Sequence, residues 1–156
     1  MGLDMYLRVS KFVSGWDQKH ADNRQQIFSA INLPPSMVSE DSSATVQVTV
    51  AYWRKANQIH SWFVRNVQDG KDECQESSVS LEQLTTLRDL CKKVIETKDD
   101  SLLEPMAGFF FGSVSIDEYY WEGIEETITK LSNVISFIKE ERDRNSFWEI
   151  TYRASW

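Results

Sequence analysis

Cysteine and histidine are scarce in this chain, and each scarcity removes a class of explanation. Only Cys74 and Cys91 occur among 156 residues, without CxxC spacing. Cys91 continues the apolar stripe of an expected helix, so a disulfide framework or zinc site is not expected and a reducing cytoplasm fits best. Two histidines, His20 and His60, are too few for a multi-histidine metal centre within one chain. No metal and no cofactor is therefore expected. Long hydrophobic runs are missing as well: the apolar stretch over residues 106–111 falls far short of the roughly 20 residues a membrane helix needs. With no basic segment leading into a hydrophobic stretch at the N-terminus, the expectation is a soluble, unprocessed protein with no membrane partner. The chain has no GxxxxGK[ST] loop, GxSxG elbow, HExxH helix or GxGxxG turn, so nucleotide-hydrolysing and zinc-protease readings lose their support. Positive charge is in deficit too. The net charge of −7 opposes attraction to a nucleic-acid backbone and excludes duplex nucleic acid as the expected partner. The acidic residues are dispersed, as at Asp72-Glu73, Asp99-Asp100 and Glu125-Glu126. A solvated acidic surface is the ordinary reading, and a negative face that docks onto an enzyme is the sharper one.

What is present points to a single α+β domain over residues 1–156, a length that buries roughly two-thirds of the surface the unfolded chain exposes. Leu3, Met5, Leu7 and Val9 alternate with polar positions, the period of a half-buried strand. Residues 44–50 alternate likewise, and so does 147–156 through Trp148, Ile150, Tyr152 and Ala154. A short peripheral helix is expected over 20–31, stopped by Pro34-Pro35, with a surface loop over 34–43. Reciprocal caps at Ser80/Gln83 and Ser115/Glu118 open two longer helices, striped by Leu84, Leu87, Cys91 and Val94, and by Ile124, Ile128, Leu131, Ile135 and Ile138. Each stripe must bury against another element, giving a small antiparallel or mixed sheet with about three main helices packed on it. Strands near both ends are taken as sheet edges, from which a homodimer is expected.

The most informative stretch runs from Ala51 to Val67. Read as one helix at about 100° per residue, it places Tyr52, Ala56, Ile59 and Phe63 on an apolar face that Trp53, His60 and Val64 continue, with Arg54, Gln58, Ser61 and Arg65 on the wet side. A histidine on such a face needs a compensating partner. One reading is a pocket in which Asn57 bonds His60 and the Trp53 ring forms a stacking wall, with Arg54 and Lys55 nearby for an anion. The other is a buried histidine bonded to a carbonyl or carboxylate at the core margin. If His60 were a general base, Asp4 or Glu118 would orient it.

The second unusual segment is Gly108-Phe109-Phe110-Phe111-Gly112-Ser113, followed by Asp117-Glu118-Tyr119-Tyr120-Trp121. Glycines on both sides of three aromatics suggest a place where backbone comes close to something else. Tyr119, Tyr120 and Trp121 are consecutive at a helix start and cannot all face one interior, so at least one is expected at the surface, where Tyr and Trp serve binding.

These motifs, together with Gly2-Leu3-Asp4-Met5-Tyr6-Leu7, the Ala51-Tyr52-Trp53-Arg54-Lys55-Ala56-Asn57 and Ile59-His60 block with Trp62-Phe63-Val64, and the closing Ser155-Trp156, resemble a family of small proteins common in tailed phages and prophages. The resemblance implies a phage accessory protein acting in the host-cell cytoplasm. It also motivates the leading expectation, a non-catalytic binder that counters host defence by sequestering a small nucleotide-type signal. In that reading the ligand-binding residues are Trp53, Arg54, Lys55, Asn57, His60, Tyr119 and Tyr120, with Trp53 and Tyr120 stacking, Arg54 and Lys55 pairing with anionic groups, and Asn57 and His60 donating hydrogen bonds. Two alternatives stand beside it: an acidic protein that occludes a host defence enzyme through its carboxylates and Tyr119 to Trp121, and a small hydrolase using His60.

Overall fold

The computed structural model describes residues 2–156. Its elements in chain order are β1 (Asp4–Val13), α1 (Ala21–Ala30), β2 (Ala44–Arg54), α2 (Asn57–Asn66), β3 (Ser77–Ser78), α3 (Leu81–Thr97), α4 (Glu118–Asp143) and β4 (Glu149–Ser155). The four strands form an antiparallel sheet in the order β2-β1-β4-β3. Together with the helices this is the expected α+β architecture. The strands at the two ends of the sequence are the inner pair, not edges. The outer positions belong to the long β2 and the two-residue β3, because the buried residues Leu3, Met5, Leu7, Ile150 and Tyr152 need neighbours on both sides.

The chain divides into two compact units, one comprising the segment ending at Val9 together with Thr49–Trp156, the other Ser10–Val48. In the larger unit, α3 begins at the Ser80/Gln83 reciprocal cap, with Ser80 Oγ accepting from Gln83 N at 3.0 Å and Gln83 Oε1 accepting from Ser80 N at 2.8 Å. Its buried Leu84, Leu87, Cys91 and Val94 pack in one core with Ile124, Leu131, Ile135 and Ile138 of α4. The cap of α4 sits two residues later than the spacing predicts: Asp117, not Ser115, accepts from a first-turn amide, Tyr120 N at 3.2 Å. Ser115 instead turns back, its amide donating to Ser113 Oγ at 3.0 Å.

The largest departure is at residues 51–56, expected in a helix and found as the end of β2 and a turn. Tyr52 and Trp53 are good strand residues, and here β1 supplies a pairing partner that a helix would forgo. Lys55 N donates to Leu3 O at 2.8 Å, and the Tyr6 and Tyr52 rings lie 5.5 Å apart. Helix α2 then starts at Asn57 and is buried nearly all round. Gln58 and Ser61, expected on the wet side, are 4% and 2% exposed, because Gln58 reaches the α4 start, donating to Tyr120 O at 3.2 Å. On its other side α2 lies on the sheet, with Phe63 stacked on Tyr152 at 3.8 Å.

In the smaller unit, α1 spans the expected short helix and buries Phe28. Arg24 donates to the carbonyls of Ser14 and Gly15, His20 Nδ1 accepts from Ser14 N at 3.2 Å, and Trp16 Nε1 donates to Asp41 at 2.9 Å. A Cβ at Gly15 would stand 2.6 Å from the Asp41 carbonyl, so that position tolerates only glycine without movement. Among the described residues no helix is long and apolar enough to cross a membrane.

Candidate functional site

The turn from β2 into α2, the segment 105–115 and the first turns of α4 surround an open recess of about 750 Å³, within the range of roughly 300–1,000 Å³ usual for small-molecule sites. Trp53, Arg54, Lys55, Asn57, Tyr119 and Tyr120 line it, and Ser113 and Ser115 add hydroxyls. Three carboxylates, Asp117, Glu122 and Glu126, come from α4 and its cap. The recess is thus lined by cations from the β2–α2 turn and by anions from α4 and its cap.

Lys55 is the most constrained of these residues. Its φ is +57°, a left-handed conformation that costs a residue with a Cβ roughly 1–2 kcal/mol. Two glycines make room for its stem. A Cβ on Gly112, itself at φ +90°, would stand 3.2 Å from Lys55 Cβ, and one on Gly2 would stand 3.5 Å from Lys55 Cε. That same Gly2 position lies 3.5 Å from an Arg54 guanidinium nitrogen, so the two cationic side chains converge over one stretch of bare backbone. Arg54 also pairs with Asp4 at 3.7 Å, and Tyr52 donates to that same carboxylate. The close approach expected around the Phe109 to Phe111 triplet is therefore backbone of that loop against the stem of Lys55.

Asn57 shapes the recess without presenting a donor to it. Its Nδ2 gives its hydrogens to Phe111 O at 3.1 Å and Ser113 O at 2.8 Å, and its Oδ1 accepts from Met106 N at 3.3 Å. The expected role as a ligand donor is replaced by that of a clamp on the loop. Trp53 and Tyr120 are not stacking platforms either. Trp53 is 1% exposed and its Nε1 donates to Thr127 Oγ1 at 2.9 Å. Tyr120 donates to Leu103 O at 2.9 Å, and burial, aided by Asp100, pushes its pKa up to about 12. The aromatic that stands free is Tyr119, 81% exposed.

His60 lies outside the recess. Its ring is fully buried, with Nδ1 2.7 Å from the Tyr152 hydroxyl and Nε2 3.0 Å from Asp72 Oδ2. The carboxylate beside it is Asp72 and not Asp4 or Glu118. Burial first, and the Asp72 charge second, raise the Tyr152 phenol well above its ordinary pKa; a carboxylate only accepts, so Nε2–H donates to Asp72, while Nδ1 and the Tyr152 hydroxyl share the other hydrogen bond. The other Asp72 oxygen accepts from Trp156 Nε1 at 3.0 Å. Within the Tyr152–His60–Asp72–Trp156 series each of these side-chain polar groups has a partner, which is how a core tolerates an imidazole.

Sequence reasoning missed Asp72, Gly2 and Glu122. Period-two alternation turns Tyr152 inward, yet nothing in spacing reveals that a carboxylate 12 residues beyond His60 returns to it. Among the described residues no group of three or more His, Cys, Asp or Glu side chains is placed to hold a metal ion. No protein-family model, curated protein or solved structure matches the chain.

Proposed function

We propose that this protein is a non-catalytic binder that takes a small nucleotide-type ligand into the recess beside Lys55, and that it serves a phage or prophage by sequestering such a signal in the host-cell cytoplasm. The recess supports the first part, and the resemblance of the sequence motifs to tailed-phage proteins supports the second. The observation that carries the reading is the convergence of Arg54 and Lys55 over Gly2 at the wall of a cavity that also holds the exposed Tyr119. Two cations held side by side suit a phosphate, which accepts charge-assisted hydrogen bonds on several oxygens. An exposed ring one face wide suits a base. The placement of the histidine supports binding over catalysis: His60, the residue best matched to proton transfer near neutral pH, is enclosed elsewhere with its partners satisfied.

Incubation with a mixture of linear and cyclic nucleotides, followed by native mass spectrometry, should show one retained ligand per chain. Loss of that ligand in Lys55→Gln is the expected control, and no retention of any nucleotide would contradict the reading.

One observation favours a second reading, occlusion of a host defence enzyme. Phe109, Val114, Ile116 and Tyr119 are 95%, 51%, 40% and 81% exposed within one short stretch, and exposed aromatic and aliphatic groups beside carboxylates are found at protein interfaces. Capture of one host enzyme, weakened by salt and abolished by Phe109→Ser, would favour it over small-ligand binding.

A further inference from the structure

The carboxylates of the recess are not equivalent. Asp117 is engaged in capping α4 through Tyr120 N, and Glu126 is paired with Lys130 at 3.0 Å. Glu122 lines the recess with no hydrogen bond or ion pair among the described residues. It follows Tyr119 by three positions on α4, a spacing that sets the two side chains on one helix face. The recess therefore offers, from α4, an unpaired carboxylate on the same helix face as an exposed phenol ring.

A carboxylate is an acceptor on both oxygens and is satisfied by two parallel donors. Among the nucleobases, guanine presents such a pair, its N1–H and exocyclic N2–H, side by side. Adenine presents one donor next to a ring nitrogen that accepts, so one carboxylate oxygen would face a lone pair, a repulsive arrangement that discriminates between the two bases. We infer that the recess recognises a guanine nucleotide: Glu122 reads the base edge, Tyr119 stacks on its face, and Lys55 with Arg54 holds the phosphate. This rests on the nucleotide reading of the recess and names the class within it.

Calorimetric titration of the full chain with guanosine 5′-monophosphate, adenosine 5′-monophosphate and guanosine tests each part. The guanine monophosphate is expected to bind at least about tenfold tighter than the adenine one, as a site built for a donor pair should, and tighter than the phosphate-free nucleoside. Glu122→Gln should remove the preference for guanine, weakening guanosine 5′-monophosphate while adenosine 5′-monophosphate binds as before or tighter once the repulsion is gone, and Lys55→Gln should bring the nucleotide down to the nucleoside. Equal binding of the two monophosphates, or an equal loss for both in Glu122→Gln, overturns the guanine assignment and leaves the nucleotide reading standing. Failure of all three to bind, with native mass spectrometry also showing no retained nucleotide, removes both.

Discussion

Two polar clusters lie close together in sequence on the β2–α2 segment, and they have opposite characters. His60, with Tyr152 and Asp72, is sealed, and each of its polar atoms has a partner of its own chain. Arg54 and Lys55, only five or six residues earlier, look outward over glycine backbone into an open recess. A polar residue on an apolar helix face draws the eye in a sequence, but here it is cement. The group open to solvent sits where strand becomes helix, with Lys55 in a left-handed backbone conformation.

The contrast is sharpest under substitution of the sealed cluster. His60→Ala removes a packed ring and leaves the Tyr152 hydroxyl and Asp72 without their partner, so a loss of about 3–5 kcal/mol is expected by urea denaturation. A loss below about 1 kcal/mol would mean that the imidazole is dispensable to the core. The same core should fail in alkali. Cys91 is raised by burial from 9.0 to about 12, Tyr120 to about 12, and Tyr152 well above its ordinary value. All three hold protons more tightly folded than unfolded. Stability is therefore full below about pH 9 and declines as pH rises toward 12. Denaturation midpoints measured across that window check the sign.

Between the two clusters lies Asn57, whose side chain ties the 106–113 loop to α2. Asn57→Ala should cost about 2 kcal/mol, because Phe111 O, Ser113 O and Met106 N lose their partner, and hydrogen exchange should rise in that loop. At the open cluster the effects move from stability to binding. Lys55→Gln should change stability by no more than about 0.5 kcal/mol, as expected of a surface site, yet weaken phosphate-bearing ligands by about tenfold, or 1.4 kcal/mol. The smallest and most telling change is Lys55→Gly. Relief of the positive φ is expected to stabilise the fold by up to about 1 kcal/mol while removing the ammonium from the recess. A gain in stability coupled to a loss of binding would identify strain retained for function.

The architecture was legible where patterns are periodic. The expected strand over 3–9 falls within β1 apart from Leu3, the Ser80/Gln83 cap opens α3, and Ile124, Leu131, Ile135 and Ile138 are buried along α4. The stretch 51–56 was not legible as strand, because Tyr52, Trp53 and Ala56 fit a helical face as well as a pleat and only the pairing with β1 decides between them. The recess was legible in composition more than in geometry. Trp53, Arg54, Lys55, Asn57, Tyr119 and Tyr120 do meet around one cavity, but two of the rings are core and the amide is a clamp. His60 does not join them, since its partners come from residues 72 and 152, a convergence that spacing cannot encode. The exposed member of the Tyr119-Tyr120-Trp121 triplet was deducible in number, not in identity.

The most direct test is amide and indole chemical-shift mapping by nuclear magnetic resonance while guanosine 5′-monophosphate is added. The account predicts saturable shifts confined to the neighbourhood of Lys55, Ser113, Tyr119 and Glu122, with the Trp156 indole beside Asp72 unmoved. Shifts centred on Asp72, His60 and Trp156, with the recess silent, would contradict it.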